Sequence, residues 1–591
     1  MRLVGVLVSL AALALLACRP AGAPTPTATP GVPPAPVSAP TVAPVPEGPA
    51  PTTPDAAPTT PPILLPTPTP TPIPTPAPIA RPRYGGTFRY AAPEPPSLDI
   101  HAFISSPTQA HGSYVYNGLL RFPYPHEQKF PADYTIYPDL AERWEFSPDG
   151  KTLTLYLRKG VRWHNRPPVN ARLLDAEDVK YSLERFAARS IFRYRAEPID
   201  AIEVVDASTL RLRLKAPHAP LLHNLADPSF MYILPKEGGT FRDFNTVETT
   251  IGTGPFTLET YTRGVQLVYK NNPAFYVEGS PYLEQVVWEV VADPATRLAL
   301  LRAGRVDTVG YRGFITEEEA RPLAKVRPDI PQTKYLRVDM GHIYMRTDRP
   351  PFNDIRVRRA VSLAINRQAW LATLHEGEGC IDNGPVPCAL QAWKLDISRE
   401  DPARLKYYIG YDPAEARRLL TEAGYPQGLA VTLNYAPVFY GPIWESRYAL
   451  TQQDLEGAGF RIIPNPQDLG LYVSTTFVGR YEHMAIGPVT PFGEVDDWLY
   501  GFYYPGQANN RSHVDDPHLT PLLVAQRQAL DPAERRRIVL EIQRYLLDKA
   551  YYIYLPIGYS YSVHAPRVRN FVQHDSHGTG KILQWTWVEG P

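Results

Sequence analysis

Three cysteines, at positions 18, 380 and 388, carry the most distinctive chemistry in this 591-residue chain. Cys18 closes an apolar run from Leu3 to Ala17 that follows Arg2. That run makes about 22 Å of helix, short of the ~30 Å hydrocarbon core, so it has the proportions of an export signal and not of a membrane span. Leu15-Leu16-Ala17-Cys18 has the form of a bacterial lipobox, in which the cysteine is lipidated and becomes the first mature residue. An ordinary signal peptide with an incidental cysteine is the competing reading. Export also bears on Cys380 and Cys388, which have seven residues between them. In an oxidising compartment they are expected to close a local disulfide worth ~2 kcal/mol. Free thiols, or a metal site completed by His375, are the alternatives, although the spacing matches no standard zinc finger.

Other reactive patterns are incomplete. No Gly-x-Ser-x-Gly elbow and no His-Glu-x-x-His occurs; His126-Glu127 and His375-Glu376 both lack the second histidine. Gly578-Thr579-Gly580-Lys581 resembles the end of a phosphate loop, but Asp575 stands at the first glycine position and Ile582 replaces the hydroxyl residue. The pair Asp496-Asp497 could bind a cation, yet adjacent carboxylates in a loop are expected to be solvated. The run Trp498-Leu499-Tyr500-Gly501-Phe502-Tyr503-Tyr504 is too aromatic for an exposed loop, so it either packs a core or lines a cleft that stacks on a ligand. These absences favour a protein that binds over one that catalyses, without cofactor or metal.

The elements that position these residues are legible. Trp144–Phe146 and Thr152–Leu157 alternate about Asp149-Gly150, a hairpin signal, and Leu210, Leu212 and Leu214 alternate with Arg211 and Arg213. Asp293-Pro294, Asp412-Pro413 and Asp531-Pro532 each place aspartate at N-cap and proline at N1 of a helix. Glu415 and Glu534 then occupy the capping-box position. Ile538, Ile542, Tyr545 and Leu546 form one apolar stripe, as do Ala416, Leu419, Leu420 and Ala423.

Between residues 19 and 83 lie 24 prolines and no aromatic residue. Such a segment cannot offset its ordering entropy and favours extended polyproline conformations, reaching at most about 200 Å. It reads as a stalk, with a proline-rich ligand segment as the rival. The remaining 508 residues correspond to about three domains. Sixty acidic and sixty basic residues give zero formal charge, which excludes the basic stripe that nucleic-acid binding needs.

Several ordered stretches resemble the family 5 extracytoplasmic solute-binding proteins of ABC transporters, the peptide-binding class. They are Tyr84–Tyr90 with Pro96-Ser97-Leu98-Asp99, Tyr116–Leu120, Pro138–Trp144 through Leu157–His164, Asp175–Leu183, Gly252–Phe256 and Pro351–Ala360. The resemblance spans essentially all of 84–591. It implies an α/β, two-lobed periplasmic-binding-protein-like fold of type II with an extra inserted subdomain. Lobe I would be about 84–106, 239–337 and 558–591, the insertion about 107–238, and lobe II about 338–557, with the hinge at crossings near 337 and 558. The implied function is capture of an extracellular peptide-like solute for a membrane permease and its ATPase, by a monomer anchored to the bilayer through Cys18 on the extracytoplasmic face.

Position in the family pattern implies five ligand-binding residues: Glu94, His342, Tyr344, Trp498 and Tyr500. One departure bears on the solute. Peptide-binding relatives pair the ligand's amino terminus with an aspartate after a Gly-Trp-x-x stretch. Here the stretch is Gly487–Phe492, with Pro488 at the tryptophan position and Pro491 at the aspartate position. Proline supplies neither charge nor an N–H donor. An oligosaccharide or another small solute is therefore the alternative ligand, and a tethered hydrolase or a surface adhesin is the alternative class.

Overall fold

Alternating apolar residues generate the sheets, and aspartate caps start seven of the described α-helices between them. The structure is a computed structural model that describes residues 82–590, except 103–104, 191, 229–230, 311–313, 339–340, 438–441, 490–491 and 576–579. Cys18, nearly all of the proline-rich segment and Pro491 therefore lie outside the described residues.

A five-stranded mixed sheet has the order Thr308–Val309, Thr87–Ala92, Gln285–Val290, Gln266–Asn271, Phe256–Thr262. Its central pair is parallel, with Thr87 opposite Gln285. Beside it, Ala141–Phe146, Thr152–Leu157, Thr209–Leu214 and Ile199–Asp206 make a four-stranded antiparallel sheet. The Asp149-Gly150 hairpin forms with Phe146 opposite Leu153. Leu210, Leu212 and Leu214 turn inward while Arg211 and Arg213 face solvent, as their alternation requires.

A second five-stranded sheet, Phe460–Pro466, Leu429–Tyr435, Met484–Pro488, Gly341–Met345, Tyr552–Tyr554, organises the other lobe. The two lobes are joined twice. The chain crosses between Tyr335 and Gly341 and returns between Tyr554 and Ser560. Gln332–Tyr335 and Ser560–Val563 pair antiparallel, so the crossings run side by side.

Asp293, Asp412 and Asp531 cap their helices, accepting from the backbone N–H three residues on at 2.6, 2.9 and 2.8 Å. Glu415 and Glu534 do not complete capping boxes. Glu415 pairs instead with Arg418 at 2.6 Å and Lys406 at 3.2 Å, and Glu534 with Arg537 at 2.9 Å. Reciprocal boxes form at Asp175/Asp178 and Thr316/Glu319. Within the helix Pro532–Leu546, Ile538, Ile542 and Leu546 are buried. Tyr545 is only half-buried and donates its hydroxyl to Asp516.

Candidate functional site: the cleft between the lobes

The loop after strand Met484–Pro488 leads into the helix Val495–Tyr503, and this helix orders the aromatic run. Glu494 is its N-cap, accepting from the Asp496 N–H at 3.1 Å. Helical phase then divides the rings. Trp498 stacks on Phe502 at 5.7 Å with 11° between planes, and both face the core. Tyr500 stacks on Tyr504 at 4.2 Å on the outer, half-buried side. The Trp498 indole N–H donates to the Phe492 carbonyl at 2.8 Å, which ties the helix back to the loop before it.

The expectation that Asp496 and Asp497 are solvated is overturned. They are 7% and 8% exposed. Because the helix runs against the subdomain built on the four-stranded sheet, its first-turn carboxylates meet cations from both sides. Asp497 accepts from Arg195 at 2.6 Å, and Arg195 also reaches Asn224 at 3.1 Å and Asp227 at 3.4 Å. Glu494 binds Arg535 of its own lobe and lies 3.5 Å from His223 Nδ1 of the opposing subdomain. Asp496 pairs with Arg527 at 3.2 Å. The Ala219 N–H donates to the Arg527 carbonyl at 2.7 Å, adding a backbone link across the same face.

Burial sets the protonation of this network. It pushes Asp497 up to about 7 against the pull of Arg195, with Asp496, Glu494 and Asp227 pushing the same way. Burial would raise Glu494 as well, but Arg535 and His223 hold it at about 2. His223 is lowered by burial and is therefore neutral near pH 7, the adjacent carboxylates acting against the shift. The two walls thus meet through a buried ionic network in which burial raises Asp496 as well as Asp497.

The five residues implied by family position fall into three settings. His342 and Tyr344, two apart on strand Gly341–Met345, share the enclosed face beneath the helix. His342 is ringed by Phe502, Tyr552 and Tyr554 at 5.3–5.7 Å, and neither ring nitrogen has a hydrogen-bond partner among the described residues. Burial, with Arg511 nearby, lowers it to about 3. Tyr344 is fully buried and bonds Tyr472 through its hydroxyl. Trp498 is 1% exposed. Tyr500 is half-buried beneath the Arg527 guanidinium, 3.8 Å from its ring centre. Glu94 sits on the other lobe, accepting from Tyr261 Oη at 2.8 Å and the Gly264 N–H at 3.0 Å. So the structure brings His342, Tyr344 and Trp498 together around one core and leaves Tyr500 and Glu94 apart.

Sequence reading missed Arg195, His223 and Asp227, which supply the opposing wall. No motif surrounds them; their role arises only when two distant segments meet. Beside this wall, a cavity lined by Leu120, Phe122, Pro125, Tyr232, His574 and Lys581 opens between the insertion and the C-terminal segment. Phe122 joins it to the network, stacking on His574 at 5.8 Å and meeting His223 at 4.9 Å. Cys380 and Cys388 are disulfide-bonded, with Cα atoms 6.5 Å apart.

Residues 135–510 match the model for bacterial extracellular solute-binding proteins, family 5. The chain belongs to this family. It is 27% identical over 442 residues to di/tripeptide-binding protein 1 of Pseudomonas aeruginosa, covering 70% of this chain and 79% of that one. It is 26% identical over 484 residues to the dipeptide-binding protein of Escherichia coli, covering 77% and 86%. The fold matches a periplasmic binding protein of Helicobacter pylori solved with the peptide STSA, with a TM-score of 0.69 and 24% identity over 86% of this chain and 99% of that one. This is a family of binding proteins, and among the described residues no helix is long and apolar enough to cross a membrane.

Proposed function

We propose that this family 5 protein is a lipid-anchored receptor that captures a peptide-like solute between its lobes and delivers it to an ABC permease and its ATPase. The observation that carries the reading is the interlobe network, in which Arg195 and His223 of one wall meet Asp497 and Glu494 of the other. Paired crossings can turn while a face of this kind opens and closes, and a solute that binds the closed form shifts that balance. The peptide names of the relatives supply the solute class. Cys18 is the lipidation site, the proline-rich segment is the stalk, and the body acts as a monomer. Lobe I comprises about 84–106, 239–337 and 558–591, the insertion about 107–238, and lobe II about 338–557. Tyr500 and Glu94, both half-exposed, touch the solute, while His342, Tyr344 and Trp498 hold the wall behind it.

A second reading concerns the solute. Glu494, Asp496 and Asp497 each already face an arginine of this chain, and Pro491 supplies no charge. That favours a ligand recognised without a free amine, such as an acylated peptide or an oligosaccharide. Mass spectrometry of material co-purifying with the body, followed by calorimetry with Ser-Thr-Ser-Ala and its N-acetyl form, tests both readings. Amine-dependent binding favours the ordinary peptide receptor; equal binding favours the second reading. Turnover of either compound would overturn the receptor.

A further inference from the structure

We propose that the loop closed by Cys380 and Cys388 is a clamp seated on both interlobe crossings, and that its disulfide sets the balance between open and closed forms. The inference rests on the reading of two lobes that move about those crossings.

The loop begins where the helix Arg367–His375 ends in a left-handed Glu376 at φ 48°. It then meets the return crossing in an isolated antiparallel bridge at Cys380 and Ile557. The Cys380 N–H donates to the Ile557 carbonyl at 2.8 Å, and the Ile557 N–H donates back at 3.1 Å. Asn383 Nδ2 donates to the Leu555 carbonyl at 3.3 Å, and its Oδ1 accepts from the Cys388 N–H at 3.2 Å. Two glycines allow this approach. A Cβ on Gly379 would come 2.1 Å from the Ile557 carbonyl oxygen, and one on Gly558 would come 2.0 Å from His375 Nδ1. The outgoing crossing touches the same loop, because Leu336 packs against the cluster of Cys380, Cys388 and Ile557.

Charge continues the grip into the other lobe. Glu378 pairs with Lys334 and Glu376 with Arg321, both cations standing before the first crossing. The loop itself is rooted in the second lobe: Asp382 pairs with Lys394 at 2.6 Å, and the Tyr408 hydroxyl donates to the Asn383 carbonyl at 3.4 Å. A staple serving only its own loop would have no need of these contacts, and its cysteines could stand in solvent. Here they are 7% and 4% exposed, pressed between the crossings. Rotation of one lobe against the other must shear the Glu376 and Glu378 pairs against a loop whose shape the disulfide fixes. A looser loop transmits less of that resistance, so the closed form loses support.

The test uses the mature chain without added solute. Radius of gyration from solution scattering is measured for the native protein, Cys380→Ser/Cys388→Ser, Glu378→Gln and Arg195→Met, with far-ultraviolet dichroism as the control for folding. Arg195→Met cuts the interlobe network and serves as the opening control. The cysteine pair variant and Glu378→Gln, which keeps the disulfide, are both expected to expand the protein with unchanged helix content. Any solute identified by co-purification should bind the pair variant ~3–10-fold more weakly, since apparent affinity falls in proportion to the competent population. If Arg195→Met expands the protein and neither loop variant does, the clamp is overturned while the closing receptor stands. If no variant, Arg195→Met included, changes the radius, the closing reading fails and the clamp fails with it.

Discussion

Arg195→Met removes the cation that crosses the cleft, and its cost should depend on pH in a way that the geometry fixes. The Arg195 side chain is 2% exposed and serves Asp497 at 2.6 Å and Asp227 at 3.4 Å. Removing one partner of such a pair strands a buried charge, a loss of about 3–5 kcal/mol. Asp497 can escape that loss by taking up a proton. Burial already raises it from 3.8 to about 7, so the folded protein holds this proton more tightly than the unfolded chain does. Its contribution to stability is therefore complete below about pH 4, declines as pH rises to 7 and is gone above it. Three pH units bound that swing at about 4 kcal/mol. In Arg195→Met the attraction that opposes the rise is lost, so the decline continues past pH 7. The expected cost is ~1–2 kcal/mol at pH 5, where Asp497 is neutral and the losses are its hydrogen bond, that to Asn224 and the longer pair with Asp227. At pH 8.5 the full ~3–5 kcal/mol appears. For about 500 residues unfolding together, ~1 kcal/mol shifts the midpoint by about one degree, so calorimetry should read about 1–2 °C at pH 5 and 3–5 °C at pH 8.5. Asp497→Asn in the same background should recover much of the alkaline loss. An equal loss at both pH values, with no rescue by Asp497→Asn, would refute the reasoning.

Trp498→Ala should cost ~3–5 kcal/mol of stability, because the indole is enclosed and stacked on Phe502; Trp498→Phe should cost less. A large loss of solute affinity with the thermal midpoint intact would instead make Trp498 a ligand contact. Glu494, held near 2 against an ordinary 4.5, contributes stability above pH 4.5 that is lost as pH falls through 2. Urea midpoints from pH 6 to 2 should therefore show an acid limb of up to about 3 kcal/mol that flattens in Glu494→Gln. Cys18→Ala should leave the protein out of the membrane fraction after carbonate washing, with the thermal midpoint of the body unchanged.

What was legible in the sequence was local. The Asp149-Gly150 hairpin, the leucine alternation at 210–214 and the aspartate caps at 293, 412 and 531 depend on neighbours within a few residues, and each forms. The glutamates at 415 and 534 mark where locality ends. Exposed arginines three residues on compete for them with the N-cap amide, and the arginines win. The aromatic run became readable only with its helical phase, which sends Trp498 and Phe502 inward and Tyr500 outward. The burial of Asp496-Asp497 is illegible locally for a different reason. The partner of Asp497 is Arg195, 302 residues away, and no pattern around either residue announces the other.

That distance also changes what Pro491 means. The carboxylates that follow Pro491 in the chain, Glu494, Asp496 and Asp497, could take the place of the missing aspartate only if the loop moved by several residues. In the fold those carboxylates are occupied, and a solute amine could reach Asp497 only by displacing the guanidinium of Arg195. The exchange would replace a cation held by Asp497, Asn224 and Asp227 with a point charge carrying its own desolvation cost, while leaving Arg195 to find new partners in a dry face. Binding an amine there would therefore work against closure. A solute that fills the cleft and leaves the Arg195–Asp497 pair standing would reinforce it.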